Sequence, residues 1–229
     1  MMVSMATGTV RQRARESAFW RAYNRSRYAI LFYALLVTLI VIPVTALLGL
    51  PRGLITSLIA LSLLAAVMPN TTRRTQTLLP AIILLLLVVR AAADRGYLPI
   101  ESALVQVLMG LVGLLTVWGS LRFVVRSGAI DSETIFAALG TYLLAGIFFG
   151  QIYWSIEQAW PGSLTGPDPV SDSTAVYYSF VTLATLGYGD YLPRSDLARG
   201  IATFEVIGGQ LFLAVMVARL IGAFGTTKS

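Results

Sequence analysis

The residues whose types and spacing carry the most chemistry are Thr185, Leu186, Gly187, Tyr188, Gly189 and Asp190. Positive φ is cheap only for glycine, so glycines at alternate positions let the backbone alternate hand and turn successive carbonyls to one side. A row of such carbonyls can replace the hydration shell of a metal cation, and the Thr185 hydroxyl can add an oxygen at the inner end. Leu186 and Tyr188 then turn their side chains away from that row. Few other residues offer reactive chemistry. The chain has no cysteine and no histidine, which excludes Ser-His and Cys-His pairs and Cys or His metal sites. Its only lysine, Lys228, stands at the tail, so a buried lysine base is not expected. No catalytic residue and no cofactor are expected, and the chain does not read as an enzyme.

The elements that must position this motif are read from the surrounding composition. Of 229 residues, 56% are hydrophobic and 12% charged, about half the charge of a soluble domain. Mean hydropathy is +0.76. Apolar runs at 28–50, 54–68, 78–93, 100–125, 133–156 and 195–223 predict six membrane-spanning helices, a span needing about 20 apolar residues. The 174–184 stretch, between the fifth and sixth runs, is too short to span, at about 16 Å as a helix. Backbone that turns back at membrane depth is tolerated only when buried in protein or lining a water-filled path. The expected fold is therefore an all-α integral membrane protein with a re-entrant pore helix and loop between helices 5 and 6.

Charge sets the orientation. Arg11, Arg13, Arg15, Arg21, Arg25 and Arg27 crowd the 1–27 arm, and Arg73 and Arg74 lie between helices 2 and 3. Arg122 and Arg126 fall on the same side. Asp94, Glu101, Glu157, Asp168, Asp172, Asp190 and Asp196 gather on the other. The positive-inside rule places both termini in the cytoplasm, in a multi-pass plasma-membrane protein. The net charge of +6 is thus absorbed by membrane topology, and no nucleic-acid partner is expected. The arm sets orientation or, alternatively, lies as an amphipathic helix on anionic lipid. No cleavable signal peptide is expected. The chain divides into the arm (1–27), a four-helix peripheral region (28–126), a pore region (133–223) and a short tail (224–229).

The stretch YYSFVTLATLGYGD, residues 177–190, resembles the pore helix and selectivity filter of the potassium-channel superfamily. GGQLFLAVMVARLIG, residues 208–222, is similar to the inner helix of bacterial six-helix, single-pore-loop channels. The resemblance runs over 133–222; helices 1 to 4 match only in number and place, as a degenerate voltage-sensor-like region. It implies potassium conduction by a homotetramer in a bacterial inner membrane, with K+ as permeant ion and lipids as surroundings. By resemblance, Thr185, Leu186, Gly187 and Tyr188 supply the ion-binding oxygens. Tyr188 and Asp190 would pack and bond against Tyr177 and Tyr178, with Thr182 behind the filter. Gly209 falls at the family's hinge position, beside Gly208, and Gln210, Leu213, Val217 and Ile221 would line the path. Leu186 stands where the family commonly has valine, Tyr177 and Tyr178 where it often has tryptophan, and Ala184 where it often has threonine. The last three departures bear on filter rigidity and inactivation. The alternatives are a weakly selective cation channel and a non-conducting or modulatory subunit.

Other residues have plainer readings beside functional ones. Gly187-Tyr188-Gly189-Asp190 fits the G-x-G-D of intramembrane aspartyl proteases, but no second membrane-embedded aspartate is present to share a proton. Arg122 and Arg126 close helix 4 as snorkelling anchors, because a voltage sensor needs several arginines at every third position. Arg90 pairs with Asp94 or Glu101. Glu205 is expected to make a buried hydrogen bond to the pore helix or, alternatively, to act as a pH-sensitive element. Gly208-Gly209 reads as a gating hinge or as a close packing surface.

Overall fold

The computed structural model describes residues 28–44 and 131–225, with positions 26, 48, 85, 88, 89, 113, 117–119, 121, 122, 124 and 125. Nearly all of the basic arm and most of expected helices 2 to 4, including Arg90 and Arg126, lie outside the described residues. So does the end of the tail.

Helix α1 spans Tyr28–Val44. Its buried positions, Tyr28, Leu31, Leu35, Thr38 and Ile42, recur at alternating steps of three and four, which places them on one face. Leu31 comes within 3.5 Å of where a Cβ on Gly140 would stand. The long helix α2 spans Ser132–Ala159 and is capped by Asp131, whose side chain accepts from the Thr134 amide at 2.9 Å. That bond and the Thr134 hydroxyl hold the Asp131 carboxyl below its ordinary range. One apolar cluster joins Tyr28, Leu31 and Leu35 of α1 to Ala137, Leu144, Ile147 and Phe148 of α2.

A short strand β1, Leu164–Thr165, precedes helix α3, Asp172–Leu183. Strand β2, Leu192–Pro193, follows the 185–190 motif and pairs antiparallel with β1. Helix α4 then runs over Asp196–Gly225. Among the described residues, α2 and α4 are long and apolar enough to cross a membrane. Both match the expected fifth and sixth spans within three residues. Helix α3 opens at 172 rather than 174 because Ser171 and Thr174 form a reciprocal capping box that closes the first turn earlier.

In lipid, apolar contact between helices brings no hydrophobic gain, so close approach depends on small residues. Gly146 and Gly150, one turn apart on α2, provide that approach for α3. A Cβ on Gly150 would stand 2.6 Å from the Val176 Cα, and one on Gly146 would stand 2.5 Å from the Phe180 ring. Half of the most apolar window of α2 is buried within the chain, against 11% of that of α4. Most of α4 therefore faces something other than its own chain.

Candidate ion-conduction site

The site is built on α3 and the seven residues that follow its end. Gln151 of α2 donates to Asp172 at 2.8 Å and fixes the first turn of α3. At the other end the chain folds back on itself. The Ala184 amide donates to the Phe180 carbonyl at 3.0 Å, that of Thr185 to Thr182 at 2.9 Å, and that of Leu186 to Val181 at 2.9 Å. The Gly187 amide also points at the Val181 carbonyl, at 3.4 Å. The donors at the start of the motif are thereby consumed by the last turn of α3. Among the described residues, no protein donor reaches the carbonyls of 184–190.

The backbone hand alternates along the motif. Thr185, Gly187 and Gly189 have φ of 57°, 57° and 77°. Left-handed residues at every second position turn successive carbonyls toward one side. The glycines were expected there. Thr185 was not, since a β-branched residue at positive φ is an outlier costing about 1–3 kcal/mol. The helix-end bonds to the amides of 185–187 hold it in place. Residues 184–190 are all exposed within the single chain.

The outer end of the motif is clamped separately. The Tyr177 hydroxyl donates to Asp190 at 2.8 Å, and this bond pushes the phenol up to about 12. Tyr191 packs edge-on to Tyr177, with ring centroids 6.3 Å apart. It also covers Gly166, where a Cβ would stand 2.2 Å from the ring. The amides of Arg194 and Ser195 donate to the Ser163 carbonyl. Glu157, at the end of α2, accepts from Gly162 and Leu164 at 2.8 and 2.9 Å. The β1–β2 ribbon thus ties the loop before α3 to the chain just beyond Asp190.

Tyr178 stands edge-on to Tyr153 with centroids 4.8 Å apart and bonds Thr182. One residue of helix turns the side chain by about 100°, so Tyr177 and Tyr178 cannot both face Asp190. Tyr188 is 67% exposed in the chain.

On α4, Ala198, Ala202, Glu205 and Gly209 form the buried stripe. Gly209 meets Leu183 at the end of α3, whereas a Cβ on Gly208 would meet nothing within 4 Å. Of the paired glycines, Gly209 is the packing one. Gln210, Leu213, Val217 and Ile221 are exposed and share a stripe roughly 100° round the helix from the buried one. Glu205 is fully buried, accepts from Tyr153 at 2.7 Å, and its other oxygen meets the Ser179 hydroxyl of α3. Arg122 is exposed on a helix. Sequence reading missed Ser179, Tyr153, Gly146 and Gly150. The last two had a signal in the small-x-x-x-small spacing of Gly146-Ile-Phe-Phe-Gly150; the two hydroxyls had none.

Two membrane-length helices thus flank a short helix and a loop whose backbone hand alternates. Residues 137–225 match the family described as Ion channel. Over 89 residues the chain is 35% identical to the inward rectifier potassium channel Kirbac3.1 of Paramagnetospirillum magnetotacticum, covering 37% of this chain and 28% of that protein. Over 95 residues it is 33% identical to two-pore potassium channel 2 of Arabidopsis thaliana, covering 40% of this chain and 20% of that protein. These similarities support the potassium-channel superfamily for this segment. The matches span under a third of each relative's length. No solved structure matches the chain significantly.

Proposed function

We propose that the chain is one subunit of a homotetrameric, potassium-selective channel that conducts K+ passively across a bacterial inner membrane. The observation that carries this reading is the 185–190 backbone. Its hand alternates at Thr185, Gly187 and Gly189, its first amides are bound back to α3, and its carbonyls have no protein donor among the described residues. Such oxygens suit a dehydrated monovalent cation. Thr185, Leu186, Gly187 and Tyr188 would supply them, with Asp190 and Tyr177 bracing the outer mouth. One chain brings one such strand, and both the strand and most of α4 are exposed, which suits four copies about one axis. Gln210, Leu213, Val217 and Ile221 would then face the path below. In this reading helices 1 to 4 are peripheral and both termini are cytoplasmic.

The test is a reversal-potential measurement on purified protein in a planar bilayer, with potassium on one side and sodium on the other. A value close to the potassium equilibrium potential is the expected result. A value near zero with robust current would replace this reading with a weakly selective cation channel. No current from verified tetramers would support the non-conducting subunit.

A further inference from the structure

Glu205 is a carboxyl group in the middle of a membrane-length helix. It is fully buried, at 0% exposure. Its two oxygens are bound from two different helices: the Tyr153 hydroxyl of α2 donates to Oε2 at 2.7 Å, and Ser179 of α3 meets Oε1. The Ser179 oxygen also lies 2.7 Å from the Gly146 carbonyl of α2.

Counting protons decides how these four groups are connected. A serine hydroxyl has one hydrogen to donate. The Gly146 carbonyl has none. If Glu205 were ionised, it would have none either, and Ser179 would face two acceptors with a single proton. One of the two short oxygen–oxygen contacts would then set lone pair against lone pair in a buried site, where an unmade bond is costly. A proton on Oε1 removes the conflict. Glu205 then donates to Ser179, Ser179 donates to Gly146, and Tyr153 donates to Oε2, so every contact holds one hydrogen and all run in one direction. Among the described residues, the other titratable groups facing Glu205 are phenols: Tyr153 and Tyr142 of α2 and Tyr178 of α3. None is a cation that would steady a carboxylate, and an isolated charge in hydrocarbon surroundings is expensive.

We propose that Glu205 is held as a neutral carboxylic acid, a positioning residue that latches α4 to α3 through the proton it gives Ser179 and releases it when that proton is lost. The latch stands just behind the filter motif. Val181 and Thr182, whose carbonyls hold the amides of 185–187, follow Ser179 by two and three residues. One turn along α4 on the same face, Gly209 meets Leu183. The shape of the motif's inner end thus depends on where α4 holds α3. Loss of the proton leaves Ser179 with one hydrogen for two acceptors, and the contact between the helices opens.

Two readouts on the full chain in lipid test this. The first is the infrared carbonyl band of a protonated carboxylic acid, which is separate from that of a carboxylate. At neutral pH the band should be present in the wild type, absent in E205Q and displaced in S179A. No such difference between wild type and E205Q would overturn the proposal. This readout does not require that the protein conduct. The second rests on the channel reading and measures potassium flux into proteoliposomes against pH. Wild-type flux should fall as pH rises, over the range in which the acid band disappears. E205Q should show no such fall, because the amide keeps a donor for Ser179 and an acceptor for Tyr153 but cannot ionise. A fall that persists unchanged in E205Q would overturn the latch. So would a wild-type band and flux that both persist to the highest pH at which the tetramer survives.

Discussion

Gly209 of α4 and Leu183 of α3 meet so closely that a Cβ on Gly209 would stand 2.7 Å from Leu183 Cδ1 and 3.0 Å from the Leu183 carbonyl oxygen. The side chain can give way, but the backbone oxygen at the end of α3 cannot move without disturbing the turn that leads into the 185–190 motif. G209A should therefore destabilise the protein by about 1–3 kcal/mol, the usual cost of overpacking, and reduce flux. G208A should do neither within the chain, since its Cβ would meet nothing within 4 Å. Thermal melting of the purified protein and flux assays on the pair will show the contrast; equal effects would mean that the glycines act through helix flexibility instead.

The close approach of α2 to α3 predicts a second contrast. A Cβ on Gly150 would stand 2.6 Å from the Val176 backbone, whereas one on Gly146 would meet the end of the Phe180 ring at 2.5 Å. G150A should cost more stability than G146A, because backbone cannot rotate aside. F180A should recover part of the loss in G146A, while V176A should recover little of that in G150A. Double-mutant cycles read by melting temperature check the coupling.

The Tyr177–Asp190 bond predicts a pH dependence with a definite sign. The phenol is pushed up to about 12 by its bond to Asp190, from an ordinary value near 10. A raised folded value means the stabilisation is fully present below about pH 10 and is lost as pH rises through about 12. The difference in phenolate absorbance between wild type and Y177F should therefore titrate near 12. In D190N the Tyr177 contribution should return toward the ordinary value. Y177F and D190N should each weaken sustained selective flux several-fold, and the double variant should do little more than either.

Gly187 tests the alternation of backbone hand. Its φ is 57° and a Cβ there would meet nothing within 4 Å of the chain. Any damage in G187A thus comes from backbone conformation, an L-residue in the left-handed region costing about 1–2 kcal/mol. Selective potassium flux should be lost while the protein still folds and assembles. Wild-type selectivity in G187A, measured by reversal potential, would remove the motif from the conduction path.

Much of the 131–225 segment was legible in the sequence. The spans that became α2 and α4 were visible because an apolar run of sufficient length has one stable form in lipid, a helix that satisfies its own backbone. The left-handed glycines at 187 and 189 were visible because so few residues tolerate positive φ. The start of α3 was read two residues late because Ser171 was not weighed as a cap, although Ser171-Asp-Ser-Thr174 carries that signal.

What the sequence determined by itself is therefore local: helix, short helix, turn and alternating glycines follow from each segment's own chemistry. The tertiary structure decided which side chains meet. Nothing local places Tyr153 and Ser179 on Glu205, since they stand 52 and 26 residues away. Nor does it turn Tyr177 rather than Tyr178 toward Asp190, or force Thr185 into the left-handed region. Those outcomes depend on how α3 lies in the groove at Gly146 and Gly150 and against Gly209, because the rotation of a short helix about its axis is set by what packs around it.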